Sequence, residues 1–201
     1  MRVMLVNLPN KLSLFRIILV PVIACIYLFT DLKEAFGVDV NNTHISVSMT
    51  ALIVLVLFAI ASFTDFLDGY IARKNHLITS FGKFIDPIAD KLLVNTMFIL
   101  FAVDGVVPAI WVIVMIWRDT IVDGLRMNAS ASGKVVAAGM LGKAKTVLQM
   151  FAIIFLLLNN LPFALWSIPV ADILFYAAVI VSVLSGIDYF MKLKDIIMET
   201  M

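Results

Sequence analysis

The stretch "DFLDGYIARKNHLITSFGKFIDPIAD" runs from Asp65 to Asp90 and sets four aspartates inside a strongly apolar chain. Asp65 follows "ALIVLVLFAIASFT", and Asp90 runs directly into "KLLVNTMFILFAV". Asp65 and Asp68 are three residues apart, and Asp86 and Asp90 are four apart. On a helix either spacing puts both members of a pair on one face. Gly69 stands four after Asp65 and Gly82 four before Asp86. Each carboxylate face therefore carries, one turn away, a residue with no side chain, which leaves room for something bulky against the backbone. The segment between, "KNHLITS", reads as a short loop, so the two helices are expected to be antiparallel neighbours with both aspartate pairs at one end.

The rest of the chain is lipid-like. It is 63% hydrophobic and 14% charged, whereas soluble domains are about 45–50% apolar and about 25% charged. The bilayer is therefore its solvent. A net charge of +1 argues against a nucleic-acid binder. The single Cys25 excludes an internal disulfide and a cysteine-based metal site. "VIAC" at Val22–Cys25 resembles a lipoprotein cleavage box, but the apolar run continues as "IYLF", so this segment reads as a retained span.

Crossing the hydrocarbon core takes about 20 apolar residues. Six stretches qualify: Leu12–Thr30, Met49–Arg73, Phe84–Val103, Pro108–Met127, Ala144–Asn159 and Pro169–Met191. The expected fold is all-α and integral to the membrane, with six transmembrane helices forming a single domain over residues 1–201. Asp31–Ser48 reads as a polar loop, Asp104-Gly105 as a tight turn, and "NNLPFALWSIP" as a proline-containing loop. In "NLPNKLSLFRIILVP", Asn10 can cap a helix that begins at Lys11. The amphipathic start of that helix predicts an interfacial N-terminal segment. Only Lys33 falls on the side opposite the other cations, which puts both termini and the four aspartates in the cytosol. The chain has no internal repeat, which argues against an inverted-repeat transporter.

An aspartate at a helix centre costs about 2.5–3.5 kcal/mol on insertion scales. Four unpaired carboxylates would also repel one another. Two divalent cations match their total charge. Oxygen-only ligation points to Mg²⁺, Mn²⁺ or Ca²⁺ rather than zinc. Paired metals about 3.5–4 Å apart serve in-line displacement at phosphorus. A plainer reading makes these helix-end aspartates partners of Arg73, Lys83 and Lys91. It suits one aspartate better than four with glycines on the same faces.

The pattern Asp65-x2-Asp68-Gly69-x2-Ala72-Arg73-x8-Gly82-x3-Asp86-x3-Asp90 resembles, at every fixed position, the signature of the CDP-alcohol phosphotransferase family. The resemblance covers the whole chain and implies a membrane enzyme that displaces CMP from a CDP-linked lipid or alcohol. It implies that Asp65, Asp68, Asp86 and Asp90 hold two divalent ions, Mg²⁺ or Mn²⁺. It implies that Gly69, Ala72 and Gly82 let the nucleotide lie close to the helices, and that Asp68 and Arg73 join in binding the CDP-linked lipid, Arg73 at a phosphate. Asp90 doubles as the candidate base, and a homodimer is expected.

"NLPNKLSLFRI", "FGKFIDPIADKLL", "WRDTIVDGLR" and "GKAKTVLQ" are similar to the bacterial phosphatidylglycerophosphate synthase branch, although Asp119 stands where that branch is expected to carry glutamate. That branch joins CDP-diacylglycerol to glycerol 3-phosphate at the bacterial cytoplasmic membrane. The residues agree independently. Arg118 and Arg126 are eight apart and share a helix face, and Lys143 and Lys145 open the next helix, where backbone N–H groups also favour phosphate. Arginine grips phosphate through paired donors. The plainer reading is that these cations only mark the cytosolic boundary. Rival functions are another acceptor within the family (for cardiolipin or phosphatidylinositol-phosphate synthesis, or serine), a divalent-cation transporter and a prenyltransferase. His76 reads as a solvated loop residue, and Asp188 as a partner of Lys192 or Lys194.

Overall fold

The computed structural model describes residues 8–40, 43–74, 80–131 and 139–199. In chain order these form α1 (Leu8–Phe29), β1 (Glu34–Val40), β2 (Thr43–Ser48), α2 (Met49–Lys74), α3 (Ser80–Val103), α4 (Ala109–Ala131), α5 (Met140–Leu157), a short 3₁₀ turn at Phe163–Trp166, and α6 (Val170–Glu199). Each of the six apolar stretches is a helix. Four are long and apolar enough to cross a membrane on length and composition: Leu8–Phe29, Met49–Ile71, Met140–Leu157 and Val170–Lys192. The chain is thus a helical membrane protein. The charges of α3 (Lys83, Asp86, Asp90, Lys91) and α4 (Arg118, Asp119, Asp123, Arg126) keep those two helices below the same measure.

Three local expectations need correction. The presumed loop Asp31–Ser48 contains an antiparallel hairpin, with Phe36 opposite Val47, Val38 opposite Ile45 and Val40 opposite Thr43. Its β-branched and aromatic residues suit a pleated ribbon. The chain is already helical at Leu8, so Asn10 lies inside the first turns of α1 rather than capping a helix at Lys11. Proline is tolerated there because early helical N–H groups lack intrahelical partners anyway. Finally, α5 begins at Met140, earlier than Ala144, so Lys143 and Lys145 lie within its first two turns.

The described chain forms two compact units. One holds the residues up to Leu100 together with Leu157–Asn159, and the other holds Phe101–Leu156 with the residues from Asn160 onward. In the first unit α1 packs along α2. The buried residues of α1 are Pro9, Asn10, Ser13, Arg16, Leu19, Val20 and Ile23, a stripe recurring every three to four residues. On α2 the stripe is Val54, Phe58, Ala61 and Asp68, and on α3 it includes Gly82, Ala89, Leu93, Val94 and Met97. Asp65, Asp86 and Asp90 extend these stripes at helical spacing. Each stripe is apolar over most of its length and turns ionic or polar at one end. Outside the stripes, large apolar side chains such as Ile18, Phe29, Phe63 and Phe66 are exposed, as a lipid-facing surface requires.

The joint between α1 and α2 is fixed by side chains. Thr50 Oγ1 donates to the carbonyl of Thr30 at 2.8 Å and accepts from the N–H of Leu32 at 3.2 Å. Ser48 caps α2 by accepting from the N–H of Ala51 at 3.0 Å. In the second unit α4 packs on α6. The buried stripe of α6 runs Ala171, Phe175, Ala178, Ser182, Ser185 and Tyr189, again apolar first and polar last.

The hairpin carries a titratable clasp. His44 Nδ1 lies 2.7 Å from Asp39 Oδ1, and its Nε2 lies 3.0 Å from Glu34 Oε1. The bond to Asp39 and then the bond to Glu34 raise the His44 pKa above its ordinary 6.5. A raised folded-state pKa gives stabilisation that is full below 6.5 and is lost as pH rises through the raised value. Amide hydrogen exchange in Phe36–Val47, corrected for intrinsic rate, should therefore be slower at pH 6 than at pH 8.5. His44→Gln should remove that difference.

Candidate active site

Three of the four aspartates of α2 and α3 converge on one arginine of α1, and the fourth, Asp86, meets a serine of the same helix. Ser13 and Arg16 sit three apart on the same helix face, and both are fully buried. Arg16 Nη1 donates to Asp65 Oδ1 at 2.6 Å and also to Asp90 Oδ1, while Nη2 donates to Asp68 Oδ2 at 2.6 Å. Ser13 Oγ lies 2.5 Å from Asp86 Oδ1, 3.1 Å from the Pro9 carbonyl and 3.3 Å from Asp68 Oδ2. These aspartates are therefore not lone helix-end charges, and α1 supplies their partners.

The chemistry follows from the charges. Four carboxylates against one buried guanidinium leave a large negative surplus. Guanidinium stays protonated and presents a rigid fork of donors, which lets one side chain span three carboxylates. The donor set left over is oxygen only, which fits a hard divalent cation. Among the described residues the carboxylates are gathered around Arg16 and do not form a ready-made cation cage. The residues fit such an ion in kind and in charge. Gly82 is buried and Gly69 half-buried. The side chains of Ala72 and Arg73, and all of His76, lie outside the described residues.

The second unit holds a separate ionic cluster. Asp119 accepts from Lys145 Nζ at 2.5 and 2.7 Å and from Arg118 Nη1 at 2.8 Å. Arg118 Nη2 donates to Ser185 Oγ at 2.6 Å, and its buried Nε has no partner. Tyr189 is buried, with the guanidinium carbons of Arg118 and Arg126 at 5.9 and 5.3 Å from its ring centre. The Tyr189 hydroxyl accepts from the N–H of Gly139 at 3.0 Å. Gly186 makes room for Arg118, because a Cβ there would fall 2.8 Å from Arg118 Cγ. Among the described residues Arg126 makes no hydrogen bond or ion pair, so its donors are uncommitted. Lys143 has an exposed side chain. Asp188 pairs with Lys192 at 2.7 Å, as its spacing predicts.

Of the residues singled out from sequence, Asp65, Asp68, Asp86 and Asp90 come together. So do Arg118 and Lys145, joined through Asp119, with Arg126 sharing the Tyr189 ring with Arg118. Ser13, Arg16, Ser185 and Tyr189 were not singled out. Arg16 did leave a signal. It is an ionisable residue inside the apolar run "LSLFRIILVP" with a serine three before it, and such a residue needs a partner. Tyr189 left none, since nothing in "GIDYFMKLK" sets it apart.

The sequence profile of the CDP-alcohol phosphatidyltransferase family matches residues 6–184. The chain belongs to this family. A Bacillus subtilis protein named CDP-diacylglycerol–glycerol-3-phosphate 3-phosphatidyltransferase is 47% identical over 186 residues, covering 92% of this chain and 94% of that one. Proteins of the same name from Rickettsia typhi and Shigella flexneri are 36% and 31% identical, over 94% and 91% of this chain and 97% and 92% of theirs. This CDP-alcohol phosphatidyltransferase is thus a transferase of the bacterial membrane type, and its family generally uses divalent metal ions.

The buried Asp119 can be tested alone. Removing one partner of a buried ion pair costs about 3–5 kcal/mol because it strands the other charge. Asp119→Ala should lower stability by that order, read as chemical unfolding in detergent. Asp119→Leu combined with Lys145→Met should recover part of it, since Arg118 still loses its carboxylate partner.

Proposed function

We propose that the chain transfers a phosphatidyl group from CDP-diacylglycerol to sn-glycerol 3-phosphate, giving phosphatidylglycerophosphate and CMP. The observation that carries this reading is the presence, in one chain, of a four-carboxylate cluster and a distinct buried cluster of cations. The first suits cations that bind a diphosphate, and the second suits a phosphorylated acceptor. The activity for which the relatives are named supports the same pair of substrates.

Asp65, Asp68, Asp86 and Asp90 would hold Mg²⁺ or Mn²⁺, two ions in all, which when bound neutralise the diphosphate and the departing CMP. Gly69, Ala72 and Gly82 give the cytidine nucleotide close approach, and Arg73 with Asp68 completes its site. Arg118, Arg126, Lys143 and Lys145 bind the acceptor phosphate, with Arg126 the most available of them. Asp90 takes the proton of the attacking hydroxyl. Its Oδ1 accepts from Arg16. A carboxylate has about four lone-pair sites, so this contact leaves room for both a cation and a proton. In this reading α3 and α4 also cross the membrane, with their ionic residues turned to the cytosolic half. Both termini and the active site face the cytosol, the start of α1 lies at the interface, and the chain forms a homodimer.

The direct experiment is CMP release by purified protein given CDP-diacylglycerol and a panel of acceptors. Glycerol 3-phosphate should support release, serine and inositol phosphate should not, and chelator should abolish it with Mg²⁺ or Mn²⁺ restoring it. Full turnover in chelator removes the metal reading. Cation uptake into vesicles without CMP release would make the protein a transporter.

Arg126→Ala should raise the KM for glycerol 3-phosphate roughly 10- to 150-fold, the loss of one charge-assisted hydrogen bond, and leave that for CDP-diacylglycerol nearly unchanged. A selective rise for CDP-diacylglycerol would move Arg126 to the other substrate. Asp90→Asn keeps shape but removes basicity. Turnover should fall by about 10² or more, while bound metal and CDP-diacylglycerol are retained. Joint loss of both ligands would make Asp90 principally a ligand.

A further inference from the structure

We infer that α1 is the scaffold of the cation site: Arg16 and Ser13 hold the four aspartates by one oxygen each and leave the other oxygen of each for a divalent cation. This rests on the reading that these carboxylates bind such ions. Arg16 takes Asp65 Oδ1, Asp68 Oδ2 and Asp90 Oδ1, and Ser13 takes Asp86 Oδ1 at 2.5 Å. A hydroxyl has one proton to donate, so among the three acceptors near Ser13 the closest, Asp86, is the one it serves. Asp68 Oδ1 and Asp86 Oδ2 then accept no hydrogen bond among the described residues, while the carboxyls of Asp65 and Asp90 also lie within hydrogen-bond reach of each other, a close approach that a shared cation would relieve.

That division of labour is informative. A guanidinium that merely filled an absent cation's place would be free to claim both oxygens of its best partner, in the paired geometry arginine favours. Arg16 instead spreads single contacts over three carboxylates from two helices. It also leaves its buried Nε without a partner. Its charge is too small to serve as the counter-ion, since −4 and +1 leave −3. One dication brings the sum to −1, and two bring it to +1. Arg16 therefore orients ligands in the way that outer partners orient metal-bound side chains, where a substitution typically costs about 10–100-fold in metal affinity. Arginine has the reach to do this, whereas lysine, a point charge with rotating donors, cannot span three carboxylates in fixed directions.

The test is Mn²⁺ binding to the purified full chain in detergent, followed by electron paramagnetic resonance of free Mn²⁺. Arg16→Met should weaken binding roughly 10- to 100-fold, with Arg16→Lys between it and the unaltered chain. Ser13→Ala should weaken it by a smaller factor. The Mn²⁺ concentration for half-maximal CMP release should rise in parallel, and turnover at saturating Mn²⁺ should recover to within a few-fold. A merely structural defect would not be reversed by metal. Binding as tight as in the unaltered chain, or tighter, in Arg16→Met overturns the inference and makes Arg16 a placeholder that competes with the ion. If Arg16→Met does not fold, Arg16→Lys and Ser13→Ala decide, and unchanged Mn²⁺ affinity in both overturns it. An unaltered chain that binds no Mn²⁺ and turns over in chelator overturns the cation reading itself, a separate result.

Discussion

Carboxylates that continue a buried helix face in an apolar chain must be met by positive charge, and the first unit is organised around that requirement. On α2 and α3 the face that packs inward is Val, Phe, Leu and Met along most of its length and aspartate at one end. A cation that meets Asp65, Asp68 and Asp90 comes from α1, whose own inward face changes from Ile23, Val20 and Leu19 to Arg16 and Ser13. Helix packing aligns α1 with α2, and the ionic end places three carboxylates around one guanidinium and the fourth on Ser13. Exposed charges at these positions would gain little from pairing. Here Arg16 and Asp68 are buried while Asp65 and Asp90 are partly exposed, and each contact is directional.

The second unit follows the same plan with the signs reversed. One carboxylate, Asp119, pairs with both Lys145 and Arg118, and both Arg118 and Arg126 lie against the ring of Tyr189. Asp119 fixes two of the three cations but cannot neutralise all of them. The excess is positive, as a phosphate-binding surface needs. The aspartate that departs from the branch pattern is therefore the residue that ties this cluster together. Its shorter side chain still reaches both cations.

Much of this was readable beforehand because hydrophobic runs and carboxylate spacing are local signals. The six helices, the aspartate pairs on single faces, the shared face of Arg118 and Arg126 on α4, and the Asp188–Lys192 pair all follow from helical spacing. What escaped depends on which helix packs on which. Arg16 was legible as a cation in an apolar run, yet nothing local says that its partners lie 49 to 74 residues away. Tyr189, Ser185 and Gly186 matter only because α6 packs on α4. The hairpin was missed because the Gly, Asp and Asn of "EAFGVDVNNTHISVS" suggested a loop more strongly than its alternating Val, Ile and Phe suggested strands. The start of α1 was misplaced because Pro9 reads as a break, although the first turn of a helix accepts it.

The account stands on the claim that divalent cations bind among Asp65, Asp68, Asp86 and Asp90 while α1 keeps its hold on them. Anomalous diffraction from crystals grown with Mn²⁺ and CDP-diacylglycerol measures this directly. The predicted result is Mn²⁺ density bounded by oxygens of all four aspartates, at the short distances typical of oxygen ligation, with Arg16 and Ser13 still bonded to those carboxylates. Mn²⁺ density elsewhere in the chain, or density at the cluster with Arg16 displaced from all three of its partners, would contradict it.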